Sequence, residues 1–317
     1  MPTKLTAFSR YTLLVLAANL GVILWGAFVR ASGSGAGCGN HWPLCNGEVV
    51  PIEPGLNTII EFGHRLTSGA ALLMVIGLVV WAFRAFPRRH PARMGAGLSL
   101  VFIIGEALIG AGLVLFELVA QNASVARAYW MAAHLVNTFF LLGAITLTAW
   151  WGAGGAGLRL RRQGTVGIAL FASLLAMLLL GASGAVTALG DTLLLSPNDL
   201  AAASAEALAQ RRLFHPIIAI SVGLLVTGTA VLVARNRRDP GAQLMARTLV
   251  GLFLLQLAAG GLNVSLQAPI WLQLTHLLLA DAVWIAFVLL TATALAAETE
   301  VELPESSRAL VTARQTS

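Results

Sequence analysis

Apolar stretches long enough to cross a membrane recur along the whole chain, and they constrain its fold more than any other feature. We place eight of them, near residues 11–29, 58–82, 97–118, 129–151, 165–188, 213–234, 247–266 and 271–296. Each has about 20 residues, which as an α-helix can cross a hydrocarbon core of roughly 30 Å. With 57% hydrophobic and 11% charged residues, the composition is not that of a soluble globular domain. The sequence predicts an all-α integral membrane protein with eight transmembrane helices.

The positions of the basic residues predict the orientation of these helices. Most of the 20 Lys and Arg residues fall near the termini and in the loops after helices 2, 4 and 6, and five lie on the opposite side: Arg30, Arg65, Arg127, Arg211 and Arg212. Basic loops stay in the cytoplasm. We therefore expect a multi-pass protein of the plasma membrane with both termini cytoplasmic and the loop 30–57 outside. The net charge of +6 reflects this topology, and we expect membrane lipid and no nucleic acid as a partner.

The second half of the sequence repeats features of the first half in the same order. The correspondences pair His64 with His215, residues 106–114 with 256–264, and His134 with His276. A repeat of this kind indicates duplication of a structural unit, here a four-helix unit, which gives an N-terminal half of residues 1–157 and a C-terminal half of residues 158–317. Because each half has four helices, the halves should be parallel repeats related by an axis along the membrane normal.

Four of the six histidines lie inside apolar helices, near the outward ends of even-numbered helices: His64, His134, His215 and His276. Ionisable residues at membrane depth are costly and indicate function, although a single one can simply hydrogen-bond a neighbouring helix. Zinc usually takes four ligands, whereas each half offers two histidines. Two imidazoles facing each other across a helix bundle suit the axial positions of a haem iron. The sequence therefore predicts one haem site in each half.

The two predicted sites differ in the residue three positions before the first histidine, which is Glu61 in one half and Arg212 in the other. This spacing places both residues on the histidine face of their helices. A carboxylate could take or supply protons, whereas an arginine is suited to a haem propionate. We expect a reactive site in the first half and an electron-transfer site in the second. In the alternative interpretation, Glu61 is an interfacial carboxylate paired with Arg65 or Arg30.

Two further acids, Glu106 and Asp281, lie near the middle of predicted helices. Either could be a proton-relay group. Each could instead be a protonated acid that hydrogen-bonds a neighbouring helix. The sequence leaves both interpretations open.

The two cysteines, Cys38 and Cys45, lie together in the first outward loop. An oxidising outer face favours a disulfide between them. The disulfide could be a staple that closes the loop, or a redox-active pair, since exposed short-loop disulfides tend to be labile. We expect His41, between the cysteines, to be a solvated loop residue.

Taken together, these features resemble the haem A synthase family, in its bacterial type with a single first-loop cysteine pair. The residues that carry the resemblance are 26–30 (GAFVR), 32–35 (SGSG), 42–45 (WPLC), 61–65 (EFGHR) and the three later helix histidines. The resemblance covers nearly the whole chain. It implies an enzyme, a haem-dependent oxidoreductase that oxidises the C8 methyl group of haem O to a formyl group and so gives haem A for terminal oxidases.

The resemblance also implies roles for individual residues. His64 and His134 would bracket the substrate haem, His215 and His276 would ligate a haem b cofactor, and Glu61 would be the catalytic acid. Cys38 and Cys45 would form the first-loop disulfide. Arg30, Arg65, Arg212 and Glu106 are candidate partners of propionates or of a proton relay. The implied partners are a quinol or small redox protein as electron donor, and haem O synthase and oxidase assembly factors.

Two other functions are compatible with the same histidines. One is a di-haem b-type cytochrome that transfers electrons from a quinol, which Glu61 and the cysteine loop argue against. The other is a haem carrier without catalysis. Farnesyl transfer to haem is disfavoured, because the sequence lacks the paired Asp-rich motifs that bind diphosphate through magnesium.

Overall fold

The computed structural model describes residues 5–120, 122–194 and 214–296. This part of the chain contains eight α-helices: α1 Ala7–Ala31, α2 Leu56–Ala85, α3 Pro91–Leu115, α4 Val125–Gly152, α5 Gly164–Leu194, α6 Phe214–Asn236, α7 Pro240–Ser265 and α8 Ile270–Ala294. All eight are long and apolar enough to cross a membrane. The described residues form isolated β-bridges but no strand. The prediction of an all-α protein with eight spans is confirmed.

Helices α3 and α7 begin well before the apolar spans that predicted them. Each starts with a proline, Pro91 or Pro240, and is capped by the residue before it. His90 Nδ1 and Asp239 Oδ2 each accept a backbone N–H of the first turn, at 3.2 Å and 2.8 Å. Proline suits the first helical position, and such side-chain caps satisfy N–H groups that lack a partner within the helix. The apolar pattern predicted these helices too short at their N-terminal ends, because the capping residues and not the apolar side chains determine where they begin.

The helices pack as two rings of four. In the first ring α1 contacts α2, α2 contacts α3, α3 contacts α4 and α4 contacts α1, and α5 to α8 repeat this order. The rings meet through the pairs α4–α5, α4–α8 and α1–α8. Exchanging α1 with α5 and α4 with α8 leaves this set of contacts unchanged. A duplicated four-helix unit related by a two-fold axis, which we propose, accounts for the pattern.

Helices α4 and α8 lie at the centre and are the most buried of the eight. At their crossing the rings of Phe139 and Trp284 stack, with centroids 4.8 Å apart. The Trp284 Nε1–H donates to the Phe139 carbonyl oxygen at 2.6 Å, and Gly143 lies against the indole ring. Small residues allow close helix approach where the hydrophobic effect does not drive association.

The outer surface of the bundle is apolar. Leu73, Leu224 and Val264 are each about 70% exposed, and such side chains recur along the outer faces of the helices. In water this surface would be a large aggregation-prone patch. In a bilayer this surface faces lipid tails. Large apolar side chains can therefore lie on the outside of the bundle as well as in its interior.

Candidate functional site

The four membrane histidines lie near the N-terminal ends of α2, α4, α6 and α8, the end of the bundle at which the cysteine loop enters α2. Helices α2 and α4 occupy opposite corners of the first ring, and α6 and α8 opposite corners of the second. His64 nevertheless lies within electrostatic range of His134, and His276 lies within electrostatic range of His215. The fold therefore brings the histidines together as two pairs, each across the diagonal of its own ring.

Each histidine ring is backed by a glycine of the preceding helix. A Cβ atom at Gly26 would lie 2.9 Å from His64 Cε1, and one at Gly110 would lie 3.9 Å from His134 Nε2. In the second ring, a Cβ at Gly184 would lie 3.2 Å from His215 Cε1, and one at Gly260 would lie 3.0 Å from His276 Cε1. Gly26, Gly184 and Gly260 thus provide space for the imidazole rings of His64, His215 and His276, whereas a Cβ at Gly110 would only make ordinary contact with His134.

The hydrogen bonds of the imidazole rings differ between the four histidines. His134 Nδ1 lies 2.6 Å from Glu106 Oε2, His215 Nδ1 lies 2.8 Å from Ser183 Oγ, and His276 Nε2 lies 3.3 Å from Gln256 Nε2. Within the part of the chain that the structure describes, His64 Nδ1 is buried without a partner.

Sequence reasoning missed Ser183, although it directly precedes Gly184. The corresponding residue before Gly26 is Trp25, whose Nε1–H donates to the Ile60 carbonyl oxygen at 3.0 Å. The sequence contains a weak signal for this position, because Gly26-Ala27 of α1 matches Gly184-Ala185 of α5 between the two halves.

Glu61 joins helix α2 to the cysteine loop. Its side chain is buried; Oε1 lies 2.5 Å from Arg65 Nη2, and Oε2 accepts the Cys38 N–H at 2.9 Å. Arg65 Nη1 donates to the carbonyl oxygens of His41 and Leu44, each at 2.7 Å. The alternative pairing of Glu61 with Arg65 is thus the one observed, and the pair clamps the loop onto α2.

Cys38 and Cys45 form a disulfide, as predicted, with Cα atoms 4.4 Å apart. The loop lies directly on the first turn of α2, where a Cβ at Gly37 would collide with the Asn57 carbonyl oxygen. Thr58 Oγ1 donates to the Gly37 carbonyl oxygen at 2.8 Å. His41 is exposed, as expected of a solvated loop residue.

Arg30 joins the two rings. From α1 it donates to the Ala188 carbonyl oxygen at 2.6 Å and to Gln273 Oε1 at 3.0 Å, and it interacts electrostatically with Asp191. Asp191 was missed by sequence reasoning because the apolar span of α5 ends before it. Arg212, the predicted counterpart of Glu61, lies outside the described residues.

Glu106 and Asp281 have different surroundings. Besides contacting His134, the Glu106 carboxylate accepts Asn137 Nδ2–H at 2.6 Å and Thr138 Oγ1–H at 3.2 Å. Asp281 is fully buried, and its two oxygens have no hydrogen-bond partner among the described residues. Glu106 thus hydrogen-bonds the neighbouring helix, one of its two predicted roles. Asp281 does not do so in this structure.

The histidine pairs fit the axial positions of a haem better than a site for a bare metal ion. The described residues contain no cluster of three or more His, Cys, Asp or Glu side chains that could hold an ion. The Nδ1 atoms of His64 and His276 are buried without a hydrogen-bond partner among the described residues, so each ring keeps a nitrogen that a bound haem could use, and Gly26 and Gly260 leave space for the two rings. Fold and site together define a polytopic helical membrane protein with two paired-histidine sites at one end of its bundle.

The chain belongs to the COX15-CtaA family, whose description is cytochrome oxidase assembly protein and whose profile matches residues 9–288. It is 52% identical over 317 residues to a Thermus thermophilus protein named protoheme IX farnesyltransferase, an alignment that covers 97% of this chain and 52% of that protein.

Proteins named heme A synthase match smaller parts of the chain. The Alkalihalophilus pseudofirmus protein is 42% identical over 137 residues, or 43% of each chain. The Halalkalibacterium halodurans protein is 41% identical over 121 residues, or 38% of this chain and 40% of that one. The chain spans about half the length of the Thermus relatives that it matches.

Proposed function

We propose that this protein is a haem A synthase, an oxidoreductase that converts haem O into haem A for terminal oxidases. The observation that carries the proposal is the pair of diagonal histidine sites with unequal acidic surroundings. In the first half Glu106 contacts His134, and buried Glu61 lies one helical turn before His64 on α2. In the second half Gln256 contacts His276 in the place of Glu106. A site that only transfers electrons needs no carboxylates, whereas oxidation of a methyl group requires management of protons.

In this proposal His64 and His134 bracket the substrate haem, and His215 and His276 hold haem b. The haem iron supplies the electron transfer and the oxidative power when the groups are bound. The protein positions the four imidazole rings, which lie beside Gly26, Gly110, Gly184 and Gly260. The catalytic contribution of Glu61 stays a proposal. Its carboxylate is fixed by Arg65 and the Cys38 N–H, so any proton transfer at Glu61 would occur beside the cysteine loop.

The Thermus relative is named for farnesyl transfer, an activity that we do not propose for this chain. That protein is about twice as long as the aligned region, and this chain lacks the Asp-rich pairs that bind a diphosphate through magnesium. We assign the named farnesyl transfer to the part of the relative that lies outside the alignment. A farnesyl transfer activity that makes haem O, joined to a half that consumes haem O, would link consecutive reactions.

The same reasoning gives the proposed partners. A haem O synthase would act beside this chain in the membrane, together with oxidase assembly factors and a quinol or small redox protein as electron donor. The distribution of the basic residues supports a proposed orientation in the plasma membrane, with both termini in the cytoplasm and the cysteine loop outside. Reaction of the cysteine loop with a membrane-impermeant thiol reagent after reduction would test this orientation.

The test of the function is haem analysis after co-expression with a source of haem O. We expect the purified wild-type protein to contain haem b together with haem O or haem A, identified by pyridine haemochrome spectra and chromatography of the extracted haems. Glu61→Gln should retain both haem sites and make no haem A. Haem b alone in well-folded wild-type protein would favour the di-haem electron-transfer cytochrome instead.

A further inference from the structure

We propose that Glu106 is a positioning residue that fixes His134 and gives the first site a more electron-rich histidine than the second. The inference uses only the part of the proposed function that places a haem between His64 and His134, and does not depend on haem oxidation. Its basis is the contact between Glu106 Oε2 and His134 Nδ1, at 2.6 Å.

The geometry around Glu106 is that of a fully satisfied carboxylate. Three side chains of α4 approach its two oxygens: His134 at 2.6 Å, Asn137 at 2.6 Å and Thr138 at 3.2 Å. Asn137 Nδ2 also donates to the Phe102 carbonyl oxygen at 2.8 Å. The carboxylate is therefore held between α3 and α4, and it fixes the rotation of the His134 ring.

A carboxylate that accepts the Nδ1–H of a histidine leaves Nε2 as the nitrogen available for a metal. Histidines that bind metals commonly donate their other ring N–H to such a partner, which orients the ring and raises its basicity as a ligand. A more basic ligand stabilises the oxidised iron relative to the reduced iron. The contact thus combines orientation with a lowered reduction potential.

The second ring supplies an internal comparison. Gln256 occupies the position of Glu106, and its amide nitrogen lies 3.3 Å from His276 Nε2. Among the described residues, the Gln256 Oε1 and the other ring nitrogen of His276 are buried without partners. An uncharged amide with a longer contact holds its histidine less firmly than a carboxylate does. The repeat thus keeps a partner side chain for the histidine in both halves, charged and at Nδ1 of His134 in the first half, neutral and at Nε2 of His276 in the second.

Two reciprocal variants of the full-length protein loaded with haem b test the proposal. Glu106→Gln gives the first site the side chain of the second, and Gln256→Glu does the reverse. In a spectroelectrochemical titration, Glu106→Gln should favour reduction of one haem by about tenfold, which corresponds to about 59 mV for a one-electron couple. Gln256→Glu should shift the other haem in the opposite direction. Glu106→Gln should also weaken binding of the first haem roughly tenfold.

Asn137→Ala is the matched control. It removes a hydrogen bond between α3 and α4 and keeps the contact of Glu106 with His134. If Glu106 served only to tie the helices together, Asn137→Ala and Glu106→Gln would change the potentials alike. Unchanged potentials in Glu106→Gln, or equal shifts in Asn137→Ala, would overturn the proposal. Should Glu106→Gln fail to fold, Gln256→Glu tests the same relation independently, and an unchanged second potential would refute it.

Because all readings use haem b, the outcome separates this proposal from the proposed function. A protein that makes no haem A but shows the opposite shifts retains the role of Glu106. If the protein makes haem A but the variants do not shift the potentials, the proposed role of Glu106 is wrong and the proposed function stands.

Discussion

The contact of Gly26 with His64 gives a sharp test of the first histidine site. A Cβ atom at residue 26 would lie 2.9 Å from His64 Cε1 and 3.1 Å from Nε2, whereas ordinary contacts begin at 3.4 Å. In Gly26→Ala the imidazole ring must therefore retreat by about 0.5 Å, away from α1 and towards the diagonal that faces His134. Gly26 lies in the interior of α1, so the methyl group cannot be absorbed by fraying of a helix end.

Overpacking of this kind costs about 1–3 kcal/mol. If the cost falls on ligand binding, the affinity of the first site for haem should decrease by roughly 5- to 150-fold. The assay is titration of detergent-solubilised protein with haem b, followed by the absorbance of the bound haem, with thermal unfolding of the same samples. We expect one of two binding steps to weaken while the other is retained.

Gly21→Ala on the same helix is the matched control, because a Cβ there would meet no atom within 4 Å. It should bind haem as the wild type does. Gly184→Ala, with its wider 3.2 Å contact to His215, should affect the second binding step and do so less severely. Wild-type binding by Gly26→Ala, or an equal loss in Gly21→Ala, would refute the claim that Gly26 provides the space for His64.

Three further predictions concern stability. Arg65→Ala should lower the free energy of unfolding by about 3 kcal/mol, because it leaves buried Glu61 without its counter-charge; an unchanged thermal midpoint in detergent would contradict the clamp, and Arg65→Lys should recover only part of the loss. Burial lowers the pKa of His90 below 6.5, so the unfolded chain binds more protons near that pH and stability should fall as pH decreases through about 6.5; His90→Asn, which retains a capping side chain, should flatten this part of the pH profile, and an identical slope in both proteins would count against it. Trp284→Phe should lower the free energy of unfolding by about 1 kcal/mol, because it removes the hydrogen bond to Phe139 and keeps an aromatic ring for stacking. Thermal unfolding should be compared with that of a conservative exchange on the lipid-facing surface. Equal midpoints for the two variants would exclude a contribution from the hydrogen bond.

The sequence alone determined the number of helices, their order and the loop that carries the disulfide. These properties are local, because a span is recognised by its own apolar length and a cysteine pair by its separation. The sequence repeat also aligns Glu106 with Gln256. Helix ends were less predictable, since the ends of α3 and α7 depend on the caps His90 and Asp239 rather than on the apolar pattern.

The tertiary structure decided which side chains meet. Helical spacing placed Glu61 one turn from both His64 and Arg65 on α2, but only the path of the cysteine loop brought the Cys38 N–H to its carboxylate. In the same way, only the packing of α3 on α4 brought Glu106 to His134, and only the joining of the two rings brought Arg30 to α5 and α8. The physical reason is that the rotation and crossing of helices arise from many weak contacts spread over the chain, whereas membrane insertion depends on each segment by itself.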